Sequence, residues 1–234
     1  MVTDFHSHIL PGIDDGSASL EESIALLRME AEQGVEHVVA TPHFYPNYQS
    51  PEAFLEKRDR AEQLLREEMR NHEGLPRLSV GAEVYFFHGM SQSDTIQLLT
   101  IDKNPCILLE MPEYAWTESM YREIADIRQQ QGITPIIAHV DRYIHPVLGS
   151  KIPKTLETMP VMVQANASFF LRRATVGRAC RMLQQGQIHL LGSDCHNLTS
   201  RVPNLESAVS CIRKRVGDAA IAQIKQNEAS VIHV

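Results

Sequence analysis

Residues 4–16, DFHSHILPGIDDG, contain the pattern that decides the fold. A short apolar strand ends at His6, His8 follows it, and the next loop carries Asp14 and Asp15. In extended chain, residues i and i+2 point the same way, so His6 and His8 can reach one metal ion. The His-x-His pair alone is weak evidence, because a single buried histidine is more often a hydrogen-bonded structural residue. The rest of the chain must therefore show whether this pattern is part of a site.

Apolar strands and amphipathic helices alternate along the chain. The predicted strands are Val2–His6, His37–Thr41, Leu78–Val84, Cys106–Met111, Thr134–Val140, Val161–Ala167 and His189–Asp194. Predicted helices run from Ser19 to Gly34, from Pro51 to about Asn71, from Glu118 to Gln131 and from Arg173 to Gln185. Short strands rich in Val, Ile and Leu are typical of a parallel sheet buried on both faces. This alternation predicts an α/β fold.

Seven strands favour closure into a distorted (β/α)7 TIM-like barrel, with a doubly wound open sheet as the alternative. The length of 234 residues suits a single domain spanning residues 1–234.

Six of the seven predicted strands end at a residue that can bind a metal. These residues are His6 and His8 after the first strand with Asp14 and Asp15 in its loop, His43 after the second, Glu83 in the third, Glu110 in the fourth, His139 in the fifth, and Asp194 and His196 at the seventh. In an α/β barrel, active sites form at the carboxyl ends of the strands. Converging carboxylates without counter-charge are unfavourable, and bound cations remove that problem. Imidazole and carboxylate without thiolate suit Zn, Mn or Fe.

Composition argues against several other classes of protein. The net charge of −7 argues against a nucleic-acid binder that works by surface charge, since the basic run Arg213–Arg215 is short and lies on a predicted surface helix. The longest apolar runs have about 4–8 residues, well short of the ~20 that a membrane span needs. The N-terminus does not resemble a signal peptide. The four cysteines occur singly, which predicts reduced thiols in a cytoplasmic protein.

Several residues of reactive type are predicted to be structural. Cys195 lies between two candidate ligands and is predicted to point into the core. Cys195 and Arg201 have Cys-x5-Arg spacing, but the residues between them lack the glycine-rich turn of a phosphate-binding loop. The remaining histidines predicted to be structural or solvated are His37, His72, His145, His189 and His233.

The order of the candidate ligands resembles the polymerase and histidinol phosphatase (PHP) family. More narrowly, residues 4–16 look like the opening of its bacterial capsule and exopolysaccharide tyrosine-protein phosphatases. The same holds for GAEVY at 81–85, IAHVDRY at 137–143 and SDCHN at 193–197. The resemblance covers essentially the whole chain. It implies a distorted seven-stranded barrel with a trinuclear metal site, usually described as manganese-dependent.

The resemblance also implies roles for individual residues. By it, His6, His8, Glu110 and Asp194 hold one metal, Glu83, Glu110 and His139 hold a second with Glu110 bridging, Asp15, His43 and His196 hold the third, and Arg142 and Arg201 contact phosphate. Two positions depart from the family pattern. Asp141 stands where glutamate is more frequent, and the loop 44–48 is aromatic where some members are basic.

The resemblance implies a metal-dependent protein-tyrosine phosphatase in which metal-bound hydroxide attacks phosphorus. Three divalent ions with four carboxylates leave a charge of about +2, which suits a phosphate monoester dianion. The implied substrate is phosphotyrosine in the tail of a bacterial tyrosine kinase that controls polysaccharide export. Because Phe44, Tyr45 and Tyr48 follow the ligand His43, we expect them at the mouth of the site, against an aryl ring. Packing of these rings against the barrel is an equal alternative.

Other functions remain open at this level. A small-molecule phosphatase, such as a histidinol-phosphate phosphatase, would use the same metals. A phosphodiesterase or exonuclease fits the acidic composition less well. An amidohydrolase shares the early His-x-His but does not need two strand-end glutamates. A non-catalytic, metal-stabilised binding module would be expected to have lost ligands, and none is missing here.

Overall fold

The computed structural model describes residues 2–144 and 151–232. The strands are β1 Asp4–Ser7, β2 His37–Ala40, β3 His43–Phe44, β4 Arg77–Val80, β5 Glu83–Tyr85, β6 Cys106–Glu110, β7 Thr134–Ile137, β8 Met162–Asn166 and β9 Leu190–Gly192. The helices are α1 Leu20–Glu32, α2 Pro51–Met69, α3 Thr95–Leu98, α4 Glu118–Gln131, α5 Ile152–Leu156, α6 Val176–Gln184, α7 Leu205–Arg215 and α8 Asp218–Val231. Among these residues, no helix combines the length and apolar character that a membrane crossing requires.

All paired strands are parallel and form a curled sheet. One part has the order β1-β2-β4 and the other has the order β3-β5-β6-β7-β8-β9. Two consecutive pairs, β2 with β3 and β4 with β5, are each separated by two residues, so the nine strands occupy seven positions along the curl. An isolated parallel bridge joins Ser7 to Cys195, beyond the end of β9. The ends of the curled sheet therefore meet beside the residues that follow β1 and β9.

Most predicted elements occur close to their predicted positions. Helix α4 has the predicted bounds and ends at Gly132, whose φ of 70° favours glycine. The predicted strand Leu78–Val84 was wrong as a single strand, because the chain breaks it at Gly81-Ala82 into β4 and β5. Helix α6 begins three residues later than predicted, after Thr175. Strand β3 and helices α3, α5 and α8 were not predicted. Strand β3 has two residues and helix α3 has four, which is too short for a periodic pattern.

Alternate residues of β6 pack on opposite faces of the sheet. Ile107 and Leu109 belong to the large core between the sheet and the helices, whereas Cys106 and Leu108 belong to a smaller core on the inner side of the curl. Every residue of this strand is buried, as expected for a parallel sheet covered on both faces. Glu110 continues the inner series, so its carboxylate lies at the carboxyl end of the inner face.

A buried carboxyl group lies at the opposite end of the sheet. Glu228 of α8 accepts a hydrogen bond from the backbone N–H of Thr3 at 2.9 Å, just before β1. Burial raises the pKa of Glu228 from its ordinary value of 4.5 to about 7. Because the folded state then binds more protons than the unfolded state, this group lowers stability as pH rises from about 4.5 to about 7.

Glu228→Gln should therefore stabilise the protein at high pH. A glutamine keeps the acceptor for Thr3 but never ionises, so the free energy of unfolding should exceed that of wild type by about 3 kcal/mol at pH 8 and match it near pH 4.5. Urea unfolding at several pH values measures this difference, with exposed Glu206→Gln on α7 as the control. A stability difference that does not grow with pH would contradict the assignment.

Candidate metal centre

The structure brings the nine predicted metal ligands together at the carboxyl ends of the strands. Glu83 lies at their centre. Its Oε2 is 3.1 Å from His6 Nε2, 3.3 Å from His8 Nε2 and 2.9 Å from His43 Nδ1. Its Oε1 is 2.7 Å from His139 Nε2. A single carboxylate therefore connects four histidines that are delivered by three different strands, β1, β3 and β7.

The donor atoms form three groups, each with all its atoms within 4.8 Å of one another. The groups are His8, Asp15, His43 and His196; His6, His8 and Asp194; and His43, Glu83 and Glu110. The first two groups correspond to two metal positions implied by the family resemblance, with His8 added to the first and Glu110 absent from the second. The third group contains His43 where the resemblance implies His139, although His139 Nε2 lies 3.5 Å from Glu110 Oε1. Three cations could be held by these side chains.

Unpartnered polar atoms mark the interior of the cluster. Among the described residues, Glu83 Oε2, Glu110 Oε2, His139 Nδ1 and His196 Nε2 are buried and have no hydrogen-bond partner. The ion-pair distances at Glu83 Oε2 are short, but the atoms are not aligned for hydrogen bonds. Buried polar atoms without partners are unfavourable. Lone pairs of nitrogen and oxygen that converge without donors are the arrangement that divalent transition metals bind, so the residues fit metal ions.

Protonation states show that the cluster requires positive charge. Burial lowers the pKa of His8, but the hydrogen bond to Asp14 and the nearby carboxylate of Glu83 raise it more, to about 10. His139 is likewise raised to about 9, because hydrogen bonds to Glu110 and Glu83 outweigh burial. Although burial opposes it, the charge of His6 and hydrogen bonds from histidines hold the pKa of Glu83 well below its ordinary value. Without metals, protons on histidines balance the buried carboxylates, which is the role that cations fill when bound.

Asp14 is a functional residue that the sequence reasoning did not single out. Its Oδ2 accepts hydrogen bonds from His8 Nδ1 at 2.8 Å and from the backbone N–H of His43 at 3.0 Å. The Asp14 carboxylate therefore orients the ring of His8 with Nε2 toward the cluster, as carboxylates commonly do for metal-binding histidines. The loop approaches closely because Gly16 has no side chain: a Cβ there would lie 2.2 Å from the carbonyl oxygen of His8. The neighbouring Asp15 has a side chain that is 66% exposed.

Strand β8 carries no predicted ligand but supports three of them. Gln164 Oε1 accepts a hydrogen bond from the backbone N–H of His139 at 2.6 Å and lies 3.4 Å from His6 Nδ1. Asn166 Nδ2 donates to Asp194 Oδ2 at 2.9 Å. The signal in the sequence was two amides at i and i+2 in an otherwise apolar strand, which places both on the inner face.

A buried acid pair lies behind the cluster. Asp4 accepts hydrogen bonds from the backbone N–H of His6 at 3.1 Å and of Ser193 at 2.8 Å, and from Ser193 Oγ at 2.5 Å. It thereby joins β1, of which Asp4 is the first residue, to the residue that follows β9. Burial, together with the negative charge of Asp4, raises the pKa of the neighbouring Glu30 to about 10, so Glu30 is protonated at neutral pH. Sequence reasoning missed both acids, because Glu30 lies within a helix that looks merely amphipathic.

Two candidate ligands adopt strained backbone conformations. His139 has φ 30° and Asp194 has φ 56°, values that residues other than glycine rarely adopt. Such strain persists only where surrounding contacts impose it, and it concentrates at functional sites. At Asp194, the backbone N–H donates to the carbonyl oxygen of His6 at 2.7 Å. The preceding Gly192 allows this approach, since a Cβ there would lie 2.5 Å from His6 Cβ.

Both predicted phosphate-binding arginines reach the cluster. Arg142 Nη2 donates to Asp194 Oδ2 at 2.8 Å, and Arg201 Nη2 donates to Asp194 Oδ1 at 2.6 Å. Their side chains are 32% and 36% exposed, so each guanidinium group also faces the mouth of the site. Asn197 shapes the loop that presents Arg201, because its Oδ1 accepts hydrogen bonds from backbone N–H groups of the loop, including that of Arg201 at 3.2 Å.

The aromatic loop is divided between the core and the mouth of the site. The placement of Phe44 at the mouth was wrong: it is buried and its ring packs 5.1 Å from that of Phe54. Tyr45 stacks on His43 with a centroid distance of 5.0 Å. Tyr48 is 88% exposed and meets Tyr45 edge-on at 6.2 Å. Strand β3 explains this division. Phe44 is its last residue and is still part of the sheet, whereas Tyr45 and Tyr48 belong to the loop that follows.

Tyr85 was not predicted at this place. Its ring lies 5.6 Å from that of Tyr45, so Tyr45, Tyr48 and Tyr85 form one aromatic wall at the mouth. We call these three residues the tyrosine wall.

Residues predicted to be structural are placed away from the donor atoms. Cys195 is fully buried within the core, and burial raises the pKa of its thiol well above the ordinary value. All four cysteines are free thiols. His37 pairs with Ser79, His72 with Glu68, and His189 with the backbone N–H of Val163. His145 and His233 lie outside the described residues.

Comparisons with known proteins agree with this geometry. Residues 2–233 match a family described as capsular polysaccharide synthesis, CpsB/CapC. The chain is 29% identical to the tyrosine-protein phosphatase CpsB of Streptococcus pneumoniae, over 92% of this chain and 90% of that protein. It is 26% identical to the tyrosine-protein phosphatase YwqE of Bacillus subtilis, over 96% of this chain and 89% of that protein.

A solved structure has the same fold. It comes from the crystal structures of Bacillus subtilis YwqE and Streptococcus pneumoniae CpsB, described as unique metal-dependent tyrosine phosphatases. The TM-score is 0.81 at 24% identity, over 97% of this chain and 93% of that chain. The curled parallel sheet is therefore shared with that protein.

Proposed function

The chain belongs to the CpsB/CapC family of capsular polysaccharide synthesis, as the resemblance seen in its sequence led us to expect, and we propose that it is a metal-dependent protein-tyrosine phosphatase. As a phosphoric monoester hydrolase, it removes phosphate from tyrosine side chains of a protein substrate. The observation that carries this proposal is the convergence of nine histidine and carboxylate ligands with two arginines at one end of the sheet.

The protein side chains define how a phosphate ester is held. Divalent metals bound by the cluster supply a water of lowered pKa and positive charge near phosphorus. Arg142 and Arg201 flank Asp194 from two sides, and their outward N–H groups can donate to phosphoryl oxygens. Asp14, Gln164 and Asp4 hold the ligands and the strand ends in place, so little rearrangement is needed when the substrate binds.

We further propose two to three metals, most simply manganese, with iron or zinc as alternatives. The proposed ligands are His6, His8, Asp15, His43, Glu83, Glu110, His139, Asp194 and His196. The number follows from the donor set, because one ion takes about four to six ligands and three groups are available.

The finer architecture and setting are also proposals. The bridge from Ser7 to Cys195 supports closure of the curled sheet as a distorted seven-stranded (β/α)7 barrel. The family match over residues 2–233 supports one domain. Free cysteines and the family assignment support a cytoplasmic protein whose substrate is the tail of a bacterial tyrosine kinase. Its acidic composition argues against nucleic acid as a binding partner.

Tyr48→Ala tests whether the tyrosine wall selects an aryl phosphate. Stacking contributes roughly 0.5–1.5 kcal/mol per aromatic pair. Loss of stacking between Tyr48 and the substrate ring should therefore lower kcat/KM for a phosphotyrosine peptide by up to about tenfold. The matching phosphoserine peptide has no ring, so its kcat/KM should not change. The exposed Leu98→Ala, on α3, is the control.

The same measurement separates the alternatives. Equal kcat/KM of the wild type for phosphotyrosine and phosphoserine peptides would remove the case for tyrosine specificity. A clear preference for histidinol phosphate would indicate a small-molecule phosphatase with the same metal site. Metal binding without hydrolysis of any of these esters would indicate a metal-stabilised binding module.

A further inference from the structure

Charge is distributed unevenly along this acidic chain. Residues 142–205 contain eight Lys or Arg and two Asp or Glu, a net charge of +6. Since the whole chain has a net charge of −7, the remaining residues carry −13. One of the two acids in this segment is Asp194, which is already paired with Arg142 and Arg201. Residues 142–205 are therefore a basic segment of an otherwise acidic protein.

Three of these basic residues lie at the same end of the sheet as the metal centre, the end where the strands have their carboxyl termini. Arg172 and Arg173 lie in the connection between β8 and α6, and Arg178 lies in the first turns of α6. Connections that follow parallel strands lie at their carboxyl ends, as the metal centre does. We call these three residues the arginine surface.

The strand before the arginine surface reaches the metal centre, and one residue of the surface contacts the segment that carries Arg142. Asn166, the last residue of β8, donates a hydrogen bond to Asp194. Arg178 Nη1 donates to the carbonyl oxygen of Ile144 at 3.3 Å, and Ile144 follows the short turn that carries Arg142. The arginine surface therefore borders the elements that present the phosphate-binding arginines.

The arginine surface is exposed and has no anionic partner within the protein. Arg172, Arg173 and Arg178 are all exposed. None of them forms an ion pair with a carboxylate of residues 2–144 or 151–232. Elsewhere, the exposed Arg213 pairs with the neighbouring Asp218. Because no carboxylate neutralises these three arginines, they make the local electrostatic potential positive, and a positive potential attracts anions.

We propose that the arginine surface binds the carboxylates of acidic residues that flank the phosphotyrosine in the protein substrate. This inference rests on the proposed phosphatase function. Charge complementarity carries it: guanidinium groups pair with carboxylates through forked hydrogen bonds, and arginine clusters are a recurrent means of recognising acidic segments. The surface supplies the local attraction that a chain of net charge −7 lacks as a whole.

The test compares two phosphotyrosine peptides of equal length with the manganese-loaded full chain. One peptide has Asp and Glu around the phosphotyrosine, and the other has Asn and Gln. We expect the acidic peptide to have a kcat/KM about tenfold higher, through a lower KM, and to lose this advantage between low and high salt. In the double variant Arg172→Glu/Arg173→Glu, the advantage should disappear, while kcat/KM for p-nitrophenyl phosphate should stay unchanged.

A matched control and the wild type distinguish the possible failures. Lys214→Glu/Arg215→Glu makes the same charge change at the end of α7, away from the metal centre, and should preserve the preference for the acidic peptide. An equal loss in this control, equal kcat/KM of wild type for both peptides, or a loss of p-nitrophenyl phosphate hydrolysis in Arg172→Glu/Arg173→Glu would each overturn the inference. If wild type hydrolyses no phosphotyrosine substrate, the proposed function itself fails.

Discussion

Asp194→Ala is expected to lower kcat by roughly 10³-fold or more on any phosphate monoester that the protein hydrolyses. Asp194 takes part in one of the three donor groups and is the carboxylate that both Arg142 and Arg201 contact. Its removal deprives the two guanidinium groups of their shortest ion pairs, leaving Arg142 with Glu110 and Arg201 with Asp15, and it leaves one donor group without a carboxylate. His6→Ala should have a comparable effect, because His6 belongs to the same donor group.

Cys195→Ser is the informative comparison for this prediction. Cys195 adjoins Asp194 in the chain, but it is fully buried and its thiol pKa is raised, so it is not available as a nucleophilic thiolate. The serine variant should keep most of the turnover. Rates on a phosphotyrosine peptide, with metal content measured in each variant, decide the matter. An inactive Cys195→Ser that retains its metals would require a phosphocysteine intermediate instead.

Removal of metal is expected to have an equally large effect. A chelator should abolish turnover, and added manganese should restore it. Without cations, the negative charge of the converging carboxylates would repel a phosphate dianion. Elemental analysis of protein purified without chelator and with added manganese should give two to three metals per chain. At most one metal per chain would contradict a multinuclear centre.

Metal removal should also lower stability. A ligand that binds only the folded state stabilises it by about 4 kcal/mol at a thousandfold excess over its Kd. Manganese should therefore raise Tm, and it should raise the Tm of Asp194→Ala less. The exposed Glu206→Gln is the control for a lost carboxylate outside the centre. An equal shift in wild type and Asp194→Ala would place the stabilising metal elsewhere.

Local patterns determined the secondary structure well where several signals agreed. Helix α4 has a cap at Thr117, an apolar stripe and Gly132 at its end, and its observed bounds are those predicted. Strand β6 is a continuous apolar run, and it forms as predicted except for its last residue. The break at Gly81-Ala82 could not be predicted in the same way, because an apolar run does not show where a strand leaves one neighbour and joins another.

Ligand identity followed from the sequence, whereas the environment of the ligands did not. The carboxyl ends of the strands in a parallel sheet all lie at the same end of the sheet, whatever the details of packing. Residues such as Glu83 and His139 could therefore be expected to converge. The supporting side chains Asp4 and Gln164 come from positions that look like ordinary strand residues. Only the packing of β1, β7, β8 and β9 against one another shows which of these groups touch.

The sequence by itself therefore indicated the α/β class and the strand-end ligands, because strand periodicity and residue chemistry are local properties. The roles of Arg142 and Arg201 came from the family resemblance. The tertiary structure alone decided the rest. It placed Glu83 at the centre, buried Phe44 while exposing Tyr48, and held His139 and Asp194 at positive φ. It also placed Arg178 against the carbonyl oxygen of Ile144, beside the turn that carries Arg142. These features depend on which distant segments meet, and that is set by the packing of the curled sheet.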